Sequence, residues 1–127
     1  MTSPRPDRRA RGGRAWKEGH AAEWSAAAWL MLTGHRILAF RLKTPQGEID
    51  LLAHRGRELI VVEVKRRAVR DAAELALSPQ QARRLLAAGE AVRRSRPALR
   101  DLTLRIDLIA LAPGRLPRHL KRLAFDV

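Results

Sequence analysis

The chain has 127 residues, a length that suits one compact domain, with 46% apolar residues, no cysteine and a formal charge of +13. The apolar share excludes wholesale disorder, and the missing thiols exclude disulfides, zinc–thiolate sites and cysteine nucleophiles. Five arginines against Asp7 within residues 1–15 supply +4 of the charge, so the remainder still carries +9, which points to a polyanionic partner.

Residues 1–15 read as a flexible basic arm, since two prolines, two glycines and repeated arginine cannot bury a face. It is either a solvated extension or an arm that grips phosphate. Residues 16–127 are expected to form a single domain. No apolar secretory region precedes it, and the longest apolar run, Ala26 to Leu32, falls far short of the roughly 20 residues that span a bilayer. A cytoplasmic protein without a membrane partner is the expectation.

An Ala- and Leu-rich helix is expected over 16–33, with Gly34 as its cap. A strand follows over 36–42, then a turn at Thr44-Pro45-Gln46-Gly47. Strands 47–53 and 58–65 are joined around Gly56 as a hairpin. Residues 66–77 read as loop, in part helical. Ser78-Pro79 opens a second helix whose apolar stripe is Ala82, Leu85, Leu86, Gly89 and Val92, and Pro97 stops it. A fourth strand runs from Leu102 to Leu111, Pro113-Gly114 marks a turn, and 119–125 is a candidate terminal strand. The tally is an α/β fold, a mixed sheet flanked by helices.

Three charged residues interrupt the apolar strands: Asp50, Glu63 and Lys65. Alternation puts Glu63 and Lys65 on one face with Leu59 and Val61, and Ile60, Val62 and Val64 on the other. Strand 58–65 is therefore expected to be central and buried on both sides. A hairpin at Gly56 places Asp50 opposite Glu63 in one register and Glu48 there in another. Two carboxylates facing each other in such surroundings repel and lose water, so they require compensation. Lys65 supplies one positive charge; Mg²⁺ or Mn²⁺, which suit all-oxygen ligands, would supply two more and polarise a phosphate. The simpler alternative is a structural Lys–Glu pair at a sheet edge. Glu23 shares a helical stripe with Ala26, Ala27, Leu30 and Met31, and is either aimed into the site or favoured by the helix dipole.

These residues carry a resemblance. The blocks are Gly19-x-x-Ala22-Glu23 with Ala26-Ala27, Leu30, Gly34 and Ile37-Leu38; Gly47-Glu48-Ile49-Asp50-Leu51; Val61-Val62-Glu63-Val64-Lys65-Arg66-Arg67; Ser78-Pro79 with Arg83-Arg84-Leu85; and Arg105-Ile106-Asp107-Leu108-Ile109. From about Gly19 to Phe125 the chain resembles the YraN-like family of small bacterial proteins, predicted members of the PD-(D/E)xK nuclease superfamily, related in fold to archaeal Holliday-junction resolvases. The resemblance implies a restriction-endonuclease-like core and a divalent-metal-dependent nuclease acting on DNA, branched or damaged DNA included. Asp50 and Glu63 would be metal ligands, Lys65 the catalytic lysine and Glu23 an added helix acid, with Glu48 an auxiliary. The family usually carries a lysine early in the second helix, where Gln80 and Gln81 stand here. Resolvase-like enzymes often act as dimers, so a homodimer is compatible with the resemblance.

Arg66, Arg67 and Arg70 follow Lys65 directly and are placed to hold the substrate strand; Arg83 and Arg84 are candidates to track a phosphate backbone, as are Arg93, Arg94 and Arg96, against the default of a solvated helix face. Trp16, Trp24 and Trp29 read as core packing, with base stacking by an exposed Trp24 as the alternative. Asp107 and Arg105 read as a structural ion pair, and the four histidines show no ligand spacing. The competing function is a nucleic-acid-binding protein that keeps the fold and does not cut.

Overall fold

The computed structural model describes residues 20–66 and 77–123. The expected basic arm, Trp16, Arg67 and Arg70 lie outside them. Helix α1 occupies residues 20–32 of the described chain. It ends in a Schellman cap: Gly34 takes φ 89, its amide reaches the Met31 carbonyl at 3.1 Å, and the His35 amide reaches that of Leu30 at 2.8 Å.

Five strands follow: β1 (Arg36–Thr44), β2 (Gly47–Arg55), β3 (Glu58–Arg66), β4 (Thr103–Leu111) and β5 (Arg118–Leu120). They lie side by side in chain order, antiparallel except for β3 and β4, which are parallel. Helix α2 (Pro79–Ser95) falls between β3 and β4, as a parallel pair requires. Among the described residues the sheet is mixed and flanked by two helices, consistent with a nuclease-like α/β arrangement. The terminal strand is shorter than the expected 119–125, because Arg122 adopts φ 51 and leaves the ladder.

Strand β3 is the middle strand and divides the core as alternation requires. Leu59 and Val61 pack with Leu85, Ala88 and Val92 of α2 and with Ile106. Ile60 and Val62 pack with Ala26, Ala27 and Leu30 of α1 on the opposite face. Each fully buried aliphatic side chain of this kind contributes about 1.5–3 kcal/mol. Helix α2 starts with a capping box: Ser78 Oγ accepts from the Gln81 amide, and Gln81 Oε1 accepts from the Ser78 amide. Its Gly89 sits so close to the sheet that a Cβ there would lie 2.8 Å from both Leu104 Cδ1 and Val61 Cγ2.

Strand β4 carries a second stabilising device. Arg105 and Asp107, both buried, form a two-pronged ion pair at 2.9 and 2.8 Å. Arg105 also donates to Glu58 Oε1 at 2.9 Å and to His35 Nε2 at 3.1 Å. Asp107 also accepts from His119 Nε2 at 2.7 Å and from the Arg122 amide at 3.0 Å. Arginine has only donors, so His35 Nε2 accepts; its Nδ1 then holds the proton and faces the Leu30 carbonyl. Burial correspondingly depresses the His35 pKa. Burial opposes ionisation of Asp107, but the hydrogen bonds from His119, Arg105 and the Arg122 amide outweigh it and hold the carboxyl at about 2. The expected Arg105–Asp107 pair thus extends into a network tying the end of α1, the start of β3, β4 and the C-terminal turn.

Two outcomes follow for stability. Gly89→Ala, which in an open helix would stabilise by about 1 kcal/mol, should here lower the unfolding free energy in guanidinium titration by roughly 1–2 kcal/mol, because the new methyl overpacks the Leu104–Val61 contact. Asp107→Asn should cost about 3–5 kcal/mol at neutral pH, since it leaves the Arg105 charge buried without its partner. The folded pKa of Asp107 lies below the unfolded 3.8, so its contribution is present above pH 4 and lost as pH falls toward 2; the gap between wild type and variant should narrow over that range.

Candidate active site

The β2–β3 ladder pairs Arg55↔Glu58 through Leu51↔Val62, and that register continued places Asp50 opposite Glu63. The alternative register, with Glu48 opposite Glu63, is not adopted. At Asp50 the side chain takes over from the backbone: the Val64 amide donates to Asp50 Oδ2 at 2.9 Å. On the other side of β2, pairing with β1 runs Leu42↔Ile49 and Phe40↔Leu51 and skips the Arg41–Asp50 position, where Arg41 takes φ 48. A non-glycine residue in that region marks a local constraint. Regular alternation would put Ile49 and Leu51 on the same face, yet Ile49 packs toward α2 and Leu51 toward α1. The strand therefore turns over at Asp50, whose carboxylate meets the β3 backbone at Val64.

That irregularity opens a cleft of about 340 Å³ at the carboxyl end of β3, lined by Ala22, Glu23, Asp50, Glu63, Val64, Lys65, Arg66 and Gln81. Carboxyl ends of parallel strands are where open α/β sheets place their ligand crevices. Both helices contribute, Glu23 from α1 and Gln81 from the first turn of α2. The structure thus gathers Asp50, Glu63, Lys65, Glu23 and Arg66 into one cleft. Gln81 is the residue that sequence reasoning left without a role; the capping-box spacing Ser78-x-x-Gln81 was its signal.

The carboxylates are poorly compensated. Burial pushes Glu63 up to about 7; the Asp50 charge adds to the rise, while Arg84 and Lys65 oppose it. Asp50 is raised as well, by burial first, against the Val64 amide that favours its ionised form. Glu23 is raised by burial, against the pull of Arg41. Glu23 Oε2 and Glu63 Oε2 are buried without a hydrogen-bond partner, and unsatisfied buried oxygens of this kind call for an external donor or a cation.

Two arginines frame the acids. Arg41, at the kink, lies 3.6 Å from Glu23 Oε1 and 3.3 Å from Glu48 Oε1. Glu48 is absent from the cleft lining and joins the site through Arg41. Arg84 crosses from α2, donates to the Glu48 carbonyl at 3.1 Å and comes within 4.0 Å of Glu63 Oε2. It passes over Gly47 so closely that a Cβ there would lie 2.6 Å from Arg84 Nη1. Arg84 is thus half-buried and tied to the site, while Arg83 beside it is exposed. Arg93 and Arg94 are engaged by Glu90 on the α2 surface, in keeping with a solvated helix face. Trp29 is partly buried against the α1 core, but Trp24 is exposed and does not pack in the core.

The donor set fits a hard divalent cation through chemistry rather than through a closed cage. Among the described residues no group of three or more His, Asp or Glu side chains is arranged to hold a metal by itself. Asp50 and Glu63, the latter with an oxygen that has no hydrogen-bond partner, would leave most of the coordination sphere to water and phosphate, the pattern Mg²⁺ accepts. Among the described residues no helix is long and apolar enough to cross a membrane.

Comparison with known proteins places the cleft within a recognised sequence family. Residues 22–111, which span four of the five strands and all eight lining residues named above, match the model of the Uncharacterised protein family UPF0102. A UPF0102 protein of Caulobacter vibrioides (strain NA1000 / CB15N) is 56% identical over 113 residues, covering 89% of this chain and 90% of its own length. One from Rhodopseudomonas palustris (strain HaA2) is 48% identical over 123 residues, covering 97% and 92%. One from Parvibaculum lavamentivorans is 50% identical over 111 residues, covering 87% and 84%.

The Glu63 shift yields a pH test on protein kept free of divalent cations. Its folded pKa exceeds the ordinary 4.5, so the folded state holds more protons and stability falls as pH rises from about 4.5 to about 7. Glu63→Gln should leave the melting temperature unchanged near pH 4 and raise it above pH 7, by an amount corresponding to roughly 1–3 kcal/mol.

Proposed function

The chain belongs to the UPF0102 (YraN-like) family, and we propose that it is a divalent-metal-dependent nuclease of the PD-(D/E)xK type that hydrolyses phosphodiester bonds in DNA. The observation that carries the reading is the pairing of two half-buried carboxylates, Asp50 and Glu63, both raised in pKa by desolvation, with the Lys65 ammonium in a single cleft on a strongly basic chain. Structural ion pairs also perturb pKa values, but they satisfy their oxygens, as the Arg105–Asp107 network does.

Asp50 and Glu63 would hold Mg²⁺ or Mn²⁺. When bound, such a cation polarises the phosphate and lowers the pKa of water. The remaining work falls to the chain. The Val64 amide fixes Asp50 in its ionised orientation. Lys65 offers an ammonium against the negative charge that gathers on the phosphate oxygens as water adds to phosphorus and a P–O ester bond breaks. Arg84 holds Glu63 from the α2 side, and Arg41 holds Glu23 from β1. Arg66 and Arg83 offer exposed charge to flanking phosphates, which positions a strand without reading its sequence.

Incubation with plasmid and branched DNA in Mg²⁺ or Mn²⁺ tests this. The Asp50→Ala, Lys65→Ala double variant should lose roughly 100-fold or more in cleavage rate, while a chelator stops the wild type. Equal behaviour of wild type and variant would remove the enzyme reading. Salt-sensitive DNA binding that needs no metal and survives Asp50→Ala would then favour a binding protein on the same fold.

A further inference from the structure

Trp24 keeps 59% of its surface exposed and Phe40 36%. Their rings lie 4.7 Å apart at 38°, within the range of an interacting aromatic pair. One comes from α1 and the other from the edge strand β1, so two separate elements hold an exposed aromatic surface. Its position follows from covalent neighbours. Trp24 follows Glu23, Phe40 precedes Arg41, and Glu23 and Arg41 are themselves paired at 3.6 Å. The aromatic pair therefore spans the same α1–β1 junction as the Glu23–Arg41 ion pair, one residue along each element from it, without itself lining the cleft. Arg36, Arg41 and Lys43 are exposed along the same edge strand.

We infer that Trp24 and Phe40 form a stacking platform for an unpaired nucleobase, so that the preferred substrate is DNA with a single-stranded stretch next to the scissile phosphate. This rests on the nuclease reading above and narrows its substrate. Bases within a duplex already stack on one another and offer only their edges, whereas an unpaired base presents a π-face to an aromatic side chain. The exposed basic groups on the strand that carries Phe40 complement the backbone of the same nucleic-acid strand. A second copy of the chain is the competing occupant, because Met31 and Leu32 extend the exposed apolar surface along α1 at 53% and 83% exposure. Each copy carries +13, however, which repels another copy and attracts a polyanion.

The test uses the full chain in a chelator, where metal-dependent cleavage cannot occur, and follows the anisotropy of labelled oligothymidylate and of a blunt duplex of equal length at fixed salt. Trp24→Ala should weaken oligothymidylate binding at least about fivefold while duplex affinity and the salt dependence stay unchanged. Phe40→Ala should act in the same direction, and Trp24→Phe should restore most of the loss, which a merely structural tryptophan would not require. Equal weakening of both DNA forms, or none, overturns the inference. So does a wild-type dimer in sedimentation that Trp24→Ala dissociates, which would assign the surface to a copy–copy contact. Stacking that persists in a protein unable to cleave sinks the nuclease reading alone; cleavage whose single-strand preference survives Trp24→Ala sinks the platform alone.

Discussion

Where the β2–β3 ladder would continue beyond Leu51↔Val62, the Val64 amide donates instead to the Asp50 carboxylate. The cleft depends on this exchange. In the same register a regular ladder would satisfy the Val64 amide from the backbone of Ile49 and leave the Asp50 side chain to one face of the sheet. With the side chain as acceptor, the strands part and the space between them becomes accessible. The kink at Arg41 makes the exchange possible, because it lets β2 turn over at the same residue. A positive φ at a non-glycine position costs of order 1–3 kcal/mol and persists only where the surroundings hold it. Here Arg41 is held by ion pairs to Glu23 and Glu48.

The molecule handles buried charge in two opposite ways. Under β4, Asp107 receives hydrogen bonds from Arg105, His119 and the Arg122 amide, and its carboxyl stays far below the usual range. At the carboxyl end of β3, Glu63 and Glu23 keep oxygens without partners and their pKa values rise. The first arrangement stabilises the fold; the second lowers stability at neutral pH in a way that a bound cation would relieve. Satisfaction of the oxygens, rather than burial, separates the two. The contrast directs the functional reading to the cleft.

The helices serve both ends. The apolar stripes of α1 and α2 cover opposite faces of β3, which keeps the middle strand dry, while the same helices deliver Glu23 and Gln81 to the cleft. Gly89 and Gly47 set the approach of α2: the first lets the helix touch Val61 and Leu104, the second leaves room for the Arg84 guanidinium over β2. Helix packing and site assembly are thus consequences of the same two close approaches.

Local pattern carried most of the architecture. Alternation in Leu59–Lys65 foretold the central strand and its two faces, Ser78-Pro79 and Pro97 bounded α2, and Asp50, Glu63 and Lys65 stood out because charge is costly in apolar strands. These features arise from the chain's own periodicity and its breakers, so neighbouring residues suffice to reveal them. The turn-over at Asp50, the recruitment of His35 and His119 to Arg105 and Asp107, the capture of Glu48 by Arg41 and the exposure of Trp24 were not legible in that way. Each depends on a partner brought from a distant part of the chain by the folded sheet, and on a strand irregularity that tertiary ion pairs sustain. A side chain's neighbours across space, not its neighbours in sequence, set whether its charge is satisfied, and that distinction was made only on folding.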